Sequence, residues 1–181
     1  MKPCTACPLH EHSNHNCMLP DQPARFNGLM IVGQNPGYTE DQEDRVFVGD
    51  SGQILNYLLA QAGIRRQDCL VTNACKCHSP KNREPKVDEI RACRKWLHKE
   101  IARWQPRCIL ALGGTAFFAL TDSEKVMAHQ GRRFHLHPAV PDYDPVVVPT
   151  LHPAALLREW GLWEWVLQDI KLAGRIAQSD T

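Results

Sequence analysis

The sequence predicts a three-layer α/β/α protein, in which helices cover both faces of a central, mostly parallel sheet of four strands. Short apolar runs alternate along the chain with amphipathic segments, in the order β-α-β-α-β-α-β-α. This alternation is typical of a parallel sheet, because each crossover between parallel strands is long enough to hold a helix. Residues 1–181, of which 43% are hydrophobic, suit a single domain with a cysteine-containing N-terminal segment.

The first half of the chain is predicted to form two strands and one helix. Residues 29–33 are an uninterrupted apolar run, which indicates a buried strand. A helix is predicted over residues 51–62, where apolar residues recur three and four apart, and Gly63 supplies its C-terminal stop. Residues 69–73 indicate the second strand, and the loop that follows, residues 74–86, contains two prolines and several basic side chains.

A long helix comes next, over residues 87–104, with apolar positions three or four apart. Acidic side chains occupy its first turn and a proline lies just past its end, as expected for the two ends of a helix. Residues 107–112 indicate the third strand. A glycine turn at residues 113–114 and a short helix at residues 115–120 follow it.

The last third of the chain begins with a polar, histidine-rich stretch up to Asp144, which predicts a hairpin or an irregular excursion. The apolar run at residues 146–148 indicates the fourth strand. Residues 156–177 are predicted to be helical, with a break near Gly161.

Polar side chains stand where three of the predicted strands end. Gln34 and Asn35 follow the first strand in a glycine-rich loop, Asn73 ends the second, and His152 follows the fourth. Because the carboxyl ends of parallel strands meet at one edge of a sheet, we expect these side chains to line one cleft. Taken alone, each of them is better explained by a turn or a cap than by a site, so only their shared location favours a site.

The cysteines indicate a second site. No signal-peptide pattern or membrane-length apolar run is present, so we expect a cytoplasmic protein without membrane contact, whose eight cysteines are metal ligands or buried residues rather than disulfides. Cys4 and Cys7 form a C-x-x-C pair in a polar segment and predict half of a metal site, whereas Cys69 and Cys108 lie in apolar runs. Spacing leaves the other half open among Cys17, Cys75, Cys77, Cys93, His10, His12 and His15.

Several segments together resemble the uracil-DNA glycosylase superfamily, and most of all its family 4, the iron–sulfur type. They are Gly-Gln-Asn-Pro-Gly at residues 33–37, Arg-Val-Phe-Val-Gly at 45–49, Thr-Asn with Lys-Cys at 72–77, Asn-Arg at 82–83 and Pro-Thr-Leu-His-Pro-Ala-Ala-Leu-Leu-Arg at 149–158. The segments occur in the family's order over nearly the whole chain. A net charge of +1 by itself neither favours nor excludes DNA as a partner.

The resemblance implies a cofactor. Members of family 4 carry a 4Fe-4S iron–sulfur cluster, and Cys4, Cys7, Cys77 and Cys93 fit the family's pattern of ligands. The alternative is Zn²⁺ on the same cysteines, or on Cys4, Cys7 and nearby histidines.

The resemblance also implies a reaction, in which uracil is flipped out of DNA and its N-glycosidic bond is hydrolysed to leave an abasic site. Phe47 would stack on the pyrimidine, and Asn73 would hydrogen-bond its N3–H and O4. His152 would donate to O2 of the leaving base, with help from the Gln34 loop, and Asn35 would orient the attacking water. We expect a monofunctional enzyme that acts as a monomer.

Binding of the DNA itself is assigned by the resemblance to the segment after His152. Leu156 and Leu157 would wedge into the gap left by the flipped base, and Arg158 would reach the phosphates or the minor groove. Arg83, in the basic loop, would contact the phosphates. The ordinary alternatives are the first turn of an amphipathic helix for the first three residues and a solvated loop for Arg83.

Two departures from the family patterns widen the range of functions. Asn35 stands where family 4 usually has Ala or Gly and where family 1 has its catalytic Asp, and Gly37 stands where family 1 has a Tyr that excludes thymine. Unless Tyr38 or Glu40 fills that space, a 5-substituted uracil could enter. The alternatives are therefore a glycosylase for a modified pyrimidine, and an iron–sulfur protein that binds DNA or senses redox state without turnover.

Overall fold

Four parallel strands form the centre of the protein. The computed structural model describes residues 4–123, 132–137 and 143–179. In this part of the chain the sheet has the strand order β2-β1-β3-β4, and all neighbouring strands run parallel. The strands are β1 (Leu29–Gly33), β2 (Leu70–Asn73), β3 (Cys108–Leu112) and β4 (Val146–Thr150).

Helices cover the sheet on both sides, which confirms the predicted three-layer α/β/α class. They are α1 (Tyr38–Glu43), α2 (Asp50–Gln61), α3 (Val87–Trp104), α4 (Gly113–Thr121) and α5 (Trp163–Gln178). Met30 and Val32 of β1 pack with α3 and α4, whereas Leu29 and Ile31 pack with α2 and α5. The strands are continuous apolar runs because both of their faces are buried.

Three local features differ from the sequence-based expectations. The helix α1 was not predicted, because Tyr38–Glu43 has no apolar periodicity. Acidic side chains in its first turn, which interact favourably with the helix dipole, stabilise it. Gly113 begins α4 rather than forming a turn before it, with a φ of +85° that glycine alone adopts easily. The last helix begins at Trp163. Before it, Pro153–Ala155 and Trp160–Leu162 form short 3₁₀ turns, and Glu159 between them has non-helical backbone angles.

The polar stretch before β4 lies partly outside the described residues, which leave out 124–131 and 138–142. Within it, Phe134 pairs antiparallel with Val147 of β4. None of the helices in the described ranges is both long enough and apolar enough to cross a bilayer.

Candidate active site

A pocket of about 460 Å³ opens at the carboxyl edge of the sheet, next to the ends of β1, β2 and β4. All five side chains predicted to bind the base or to act in catalysis line it, and two of the predicted DNA-binding residues lie there as well. These are Gln34, Asn35, Phe47, Asn73, His152, Leu157 and Arg158. A larger groove of about 850 Å³, beside Asp21 and Arg65, contains none of them.

Gly33 makes room for two of these side chains. It ends β1 and pairs in register with Asn73, so the Phe47 ring and the Asn73 amide meet above its backbone. A Cβ atom added to Gly33 would lie 2.4 Å from Cζ of Phe47 and 2.5 Å from Oδ1 of Asn73. The buried Asn73 amide has no hydrogen-bond partner among the described residues, so it is free to bind a ligand in the pocket.

The backbone of Phe47 is held in an unusual conformation. Its φ is +52°, in the left-handed region that bulky side chains rarely adopt. Arg66 donates from Nη1 to the Phe47 carbonyl oxygen at 3.0 Å and from Nη2 to that of Val46 at 2.7 Å. Gly52 permits the close approach of this segment, because a Cβ there would lie 2.0 Å from the Phe47 carbonyl oxygen. These contacts offset the backbone strain and fix the direction of the ring.

His152 is a neutral hydrogen-bond donor at neutral pH. Burial lowers the pKa of its imidazole to about 4, against an opposing effect of Glu40. Its Nδ1 accepts from the backbone N–H of Ala154 at 3.2 Å, so the single proton of the neutral ring is on Nε2. The ring lies 6.0 Å from that of Phe47 between centroids, with 28° between the planes.

Asn35 is held by its amide nitrogen. Nδ2 donates to the Pro36 carbonyl oxygen at 3.0 Å and to Oγ of Ser79 at 3.1 Å. Because the Pro36 carbonyl can only accept, the opposite assignment of the amide atoms would set two acceptors against each other. Oδ1 therefore remains as a free acceptor, with no partner in residues 4–123, 132–137 or 143–179.

Glu40 adds a carboxylate to the site, where the sequence predicts for it only a space-filling role. Its Oε1 accepts from the backbone N–H groups of Val48 at 2.9 Å and Gly49 at 2.8 Å. Its Oε2 would lie 2.6 Å from a Cβ on Gly37, so Glu40 occupies the space beside that glycine. The more exposed Tyr38 leaves this position to Glu40. The acidic first turn of α1 was the available indication, but α1 itself was not predicted.

The residues predicted to hold DNA are placed differently from one another. Leu157 is 56% exposed at the pocket, next to Arg158, whereas Leu156 is 2% exposed and packs in the core. Arg83 is not among the pocket-lining residues. Its guanidinium pairs with both carboxylate oxygens of Glu89, at 2.6 and 2.8 Å.

The four cysteines predicted as cluster ligands lie together at a second place, between the N-terminal segment and α3. Cys4, Cys7, Cys77 and Cys93 line one small cavity, together with Cys17. All eight cysteines fall within the described residues, and none of them forms a disulfide. Cys69 and Cys108 are buried in the core, as predicted.

Backbone and side-chain N–H groups point at three of these sulfur atoms. Sγ of Cys4 accepts from Nε1 of Trp96 at 3.3 Å, and Sγ of Cys77 accepts from the N–H of Cys17 at 3.4 Å. Sγ of Cys93 accepts from the N–H of Lys76 at 3.2 Å. In the described ranges no three His, Cys, Asp or Glu side chains are gathered closely enough to ligate one metal ion.

Comparison with known proteins agrees with this geometry. The profile of the Uracil DNA glycosylase superfamily matches residues 21–171. The chain is 38% identical to a type-4 uracil-DNA glycosylase of Thermotoga maritima, over 96% of this chain and 88% of the relative. It is 37% identical to a type-4 uracil-DNA glycosylase of Pyrobaculum aerophilum, over 88% and 82%, and 30% identical to one of Archaeoglobus fulgidus, over 96% and 87%. With the family profile covering most of its length and with these relatives, the chain belongs to the uracil-DNA glycosylase superfamily.

Proposed function

We propose that the protein is a DNA-repair glycosylase that removes uracil from DNA by hydrolysing the N-glycosidic bond, leaving an abasic site. One observation carries the proposal: Asn35, Phe47, Asn73 and His152, contributed by different strand ends and loops, line a single pocket. The relatives that cover most of the chain bear the name of this activity.

Recognition of the base rests on Phe47 and Asn73. The pocket is reached only by a base that has left the double helix, and the Phe47 ring offers it a stacking surface. The free amide of Asn73 accepts from N3–H of uracil and donates to O4. Cytosine presents the reverse pattern, an acceptor at N3 and a donor at N4, so it pairs only with the amide turned over, and it is rejected when the Asn73 amide keeps the orientation that uracil requires.

Departure of the base rests on His152. Negative charge develops on O2 of uracil as the bond to C1′ breaks, and the Nε2–H of the neutral imidazole donates to it. Main-chain N–H groups of the Gln34 loop add to this stabilisation. A low pKa keeps His152 in one protonation state throughout the physiological range.

The attacking water is oriented by Asn35. Its free Oδ1 accepts one hydrogen of the water and aims the oxygen at the sugar. An amide is no general base, so we expect slower excision than from the family 1 enzymes, whose own sites are built around a catalytic Asp. Single-turnover excision by Asn35→Ala tests the assignment: a substantial loss supports it, and an unchanged rate removes Asn35 from the mechanism.

Uracil is the preferred base because Glu40 fills the space that Gly37 leaves. A 5-substituted pyrimidine, the second candidate, would have to displace a carboxylate that two backbone N–H groups hold. Equal excision of 5-hydroxymethyluracil and uracil would favour that candidate instead.

The reaction ends at the abasic site, because no lysine lines the pocket in the described part of the chain. Lys76, the nearest rival in sequence, is 2% exposed, and its Nζ donates to Oγ1 of Thr72 at 2.6 Å and to Oε2 of Glu100 at 2.7 Å. A buried, paired ammonium is unavailable as a nucleophile toward the sugar.

Exposed side chains beside the pocket hold the DNA. Leu157 is the leucine available to fill the gap left by the flipped base, and Arg158 next to it reaches the phosphates. For Arg83 a phosphate contact would have to compete with its ion pair to Glu89. The enzyme acts on DNA as a monomer in the cytoplasm, a compartment in which free thiols persist.

The four converging cysteines would hold a 4Fe-4S cluster. Cys4, Cys7, Cys77 and Cys93 supply the four thiolates that such a cluster needs, and N–H groups directed at three of them suit bound thiolates. The alternative is a single Zn²⁺, whose four ligands meet at one point, on the same cysteines or on Cys4, Cys7 and nearby histidines. Iron and sulfide in protein purified without oxygen would support the cluster, whereas stoichiometric zinc would replace it.

A cleavage assay separates the enzyme from a non-catalytic DNA-binding or redox protein. A labelled single-stranded oligonucleotide with one uracil is incubated with the protein and then treated with alkali, beside matched strands carrying thymine or cytosine. Cleavage at uracil alone supports the proposal. Binding of all three strands without cleavage would favour the non-catalytic alternative.

A further inference from the structure

We propose that Ser79 is a positioning residue for Asn35, and that its hydroxyl makes position 35 accept an amide and reject a carboxylate. The expected effect on excision rests on the proposed function. The preference for an amide over a carboxylate at position 35 does not, because it concerns the hydrogen bonds of the protein alone.

The hydroxyl of Ser79 has one proton, and that proton is already used. Oγ donates to the carbonyl oxygen of Arg83 at 2.5 Å, so it presents only lone pairs to Asn35, whose Nδ2 lies 3.1 Å away. Ser79 is fully buried, so water does not substitute for either partner. The atom of residue 35 that faces Oγ of Ser79 must therefore be a hydrogen-bond donor.

The second partner imposes the same requirement. The Pro36 carbonyl oxygen lies 3.0 Å from Nδ2 of Asn35 and also accepts from Nδ1 of the buried His78 at 3.0 Å. A carbonyl cannot donate, so Nδ2 faces two acceptors with its two hydrogens. A carboxylate at residue 35 would bring an oxygen against both, with no hydrogen between them.

The position of the Ser79 hydroxyl depends on a turn that is held by contacts outside the pocket. The N–H of Asn82 donates to the Ser79 carbonyl at 3.0 Å and that of Arg83 to the Pro80 carbonyl at 3.2 Å, which makes residues 79–83 a closed turn. The Arg83 side chain ties this turn to the buried Glu89 of α3 through two hydrogen bonds. A contact outside the pocket thus sets which atom of Asn35 faces into it.

The consequence for catalysis is the direction of Oδ1. With Nδ2 held by Ser79 and Pro36, Oδ1 is left as the acceptor for water. Without the Ser79 hydroxyl the amide keeps one anchor and can rotate about its terminal bond. Excision should then fall although the pocket keeps its shape and affinity.

The first test measures single-turnover excision and the affinity for DNA carrying an uncleavable 2′-fluoro-deoxyuridine. Ser79→Ala should slow excision by about tenfold, roughly the effect of one hydrogen bond, and leave the affinity within about twofold. In the Asn35→Ala background it should have no further effect. An equal loss in both backgrounds would overturn the positioning role.

The matched control is Thr121→Val. This substitution also removes one hydroxyl that donates to a main-chain carbonyl, that of Phe117 at 2.8 Å, but in α4 and outside the pocket. It should leave the excision rate unchanged. If it slows excision as much as Ser79→Ala, the loss reflects the fold and the inference fails.

The second test needs no activity. In Asn35→Asp protein with ¹³C-labelled Asp carboxyl groups, the pKa of the new side chain is measured by NMR. It should lie above the ordinary value of about 3.9, because two acceptors disfavour the charged form, and Ser79→Ala should lower it. A pKa at or below the ordinary value would show that the Ser79 hydroxyl turns to donate to the carboxylate. It would refute the proposal that Ser79 disfavours a carboxylate at position 35.

The two tests separate the inference from the proposed function. If the native protein excises no uracil, the proposed function fails, and the NMR titration still decides whether Ser79 rejects a carboxylate. If the native protein excises uracil and Asn35→Asp is faster at neutral pH with Ser79 in place, the inference fails alone.

Discussion

Replacing Gly33 by Ala should disable the site without dismantling the fold. The new Cβ would lie 2.4 Å from Cζ of Phe47 and 2.5 Å from Oδ1 of Asn73. Ordinary contacts between carbon atoms are about 3.5–4.0 Å, so the ring must retreat by more than about 1 Å. Displacements of this size cost about 100-fold in rate, and the strain of overpacking lowers the free energy of unfolding by about 1–3 kcal/mol.

The assay for Gly33→Ala is single-turnover excision from a uracil-containing single strand, with urea unfolding measured in parallel. Gly114→Ala is the matched control, because a Cβ at that position of α4 meets nothing within 4 Å. The control should excise at the native rate. Native excision by a folded Gly33→Ala protein would refute the reasoning, since Phe47 and Asn73 would then not need their present positions.

Three further predictions concern other parts of the structure. Because burial lowers the pKa of His152 to about 4, the folded state disfavours the charged ring. The contribution of this ring to the free energy of unfolding is therefore fully present above about pH 6.5 and is lost as the pH drops toward 4. His152→Gln should remove up to about 2 kcal/mol of the loss between pH 7.5 and 4.5, seen in urea unfolding at both values, and an unchanged pH dependence would contradict the burial of this ring. Arg66→Lys should slow excision at least about tenfold, because a lysine cannot bind the Phe47 and Val46 carbonyl oxygens at the same time, as the guanidinium does. A native rate would mean that Phe47 keeps its backbone conformation without these two hydrogen bonds. Cys77→Ser should abolish absorption at about 400 nm in protein purified without oxygen, whereas Cys108→Ala in the core should retain it, and equal retention would remove Cys77 from the ligands.

The sequence was sufficient to predict where the pocket lies. The apolar run of β1 begins and ends where predicted, and the side chains after β1, β2 and β4 meet because the carboxyl ends of parallel strands share one edge. Hydrophobic periodicity also predicted α3 with both of its ends. These features depend on short stretches of chain and on topology, which is why a single sequence reveals them.

Hydrophobic periodicity was a poorer guide near the pocket. It predicted one helix from residue 156, but only short 3₁₀ turns form at Pro153–Ala155 and Trp160–Leu162, and the helix begins at Trp163. Leu156 and Leu157 lie between the two turns, the first buried and the second exposed. It gave no indication of α1, whose residues are polar and whose Glu40 is held by loop N–H groups. Segments shaped by a ligand site need not bury an apolar face, so the pattern that predicts helices is absent there.

The orientation of the side chains, unlike their location, depends on partners far away in the sequence. Ser79 is 44 positions from Asn35, and Arg66 is 19 positions from the Phe47 carbonyl that it binds. Neither residue lies in one of the family segments, yet each makes a hydrogen bond to a residue that lines the pocket. The proposed roles of the two kinds of residue can therefore be tested separately. We expect Asn35→Ala to remove a contact with the attacking water, whereas Ser79→Ala should leave that side chain in place and change only its direction.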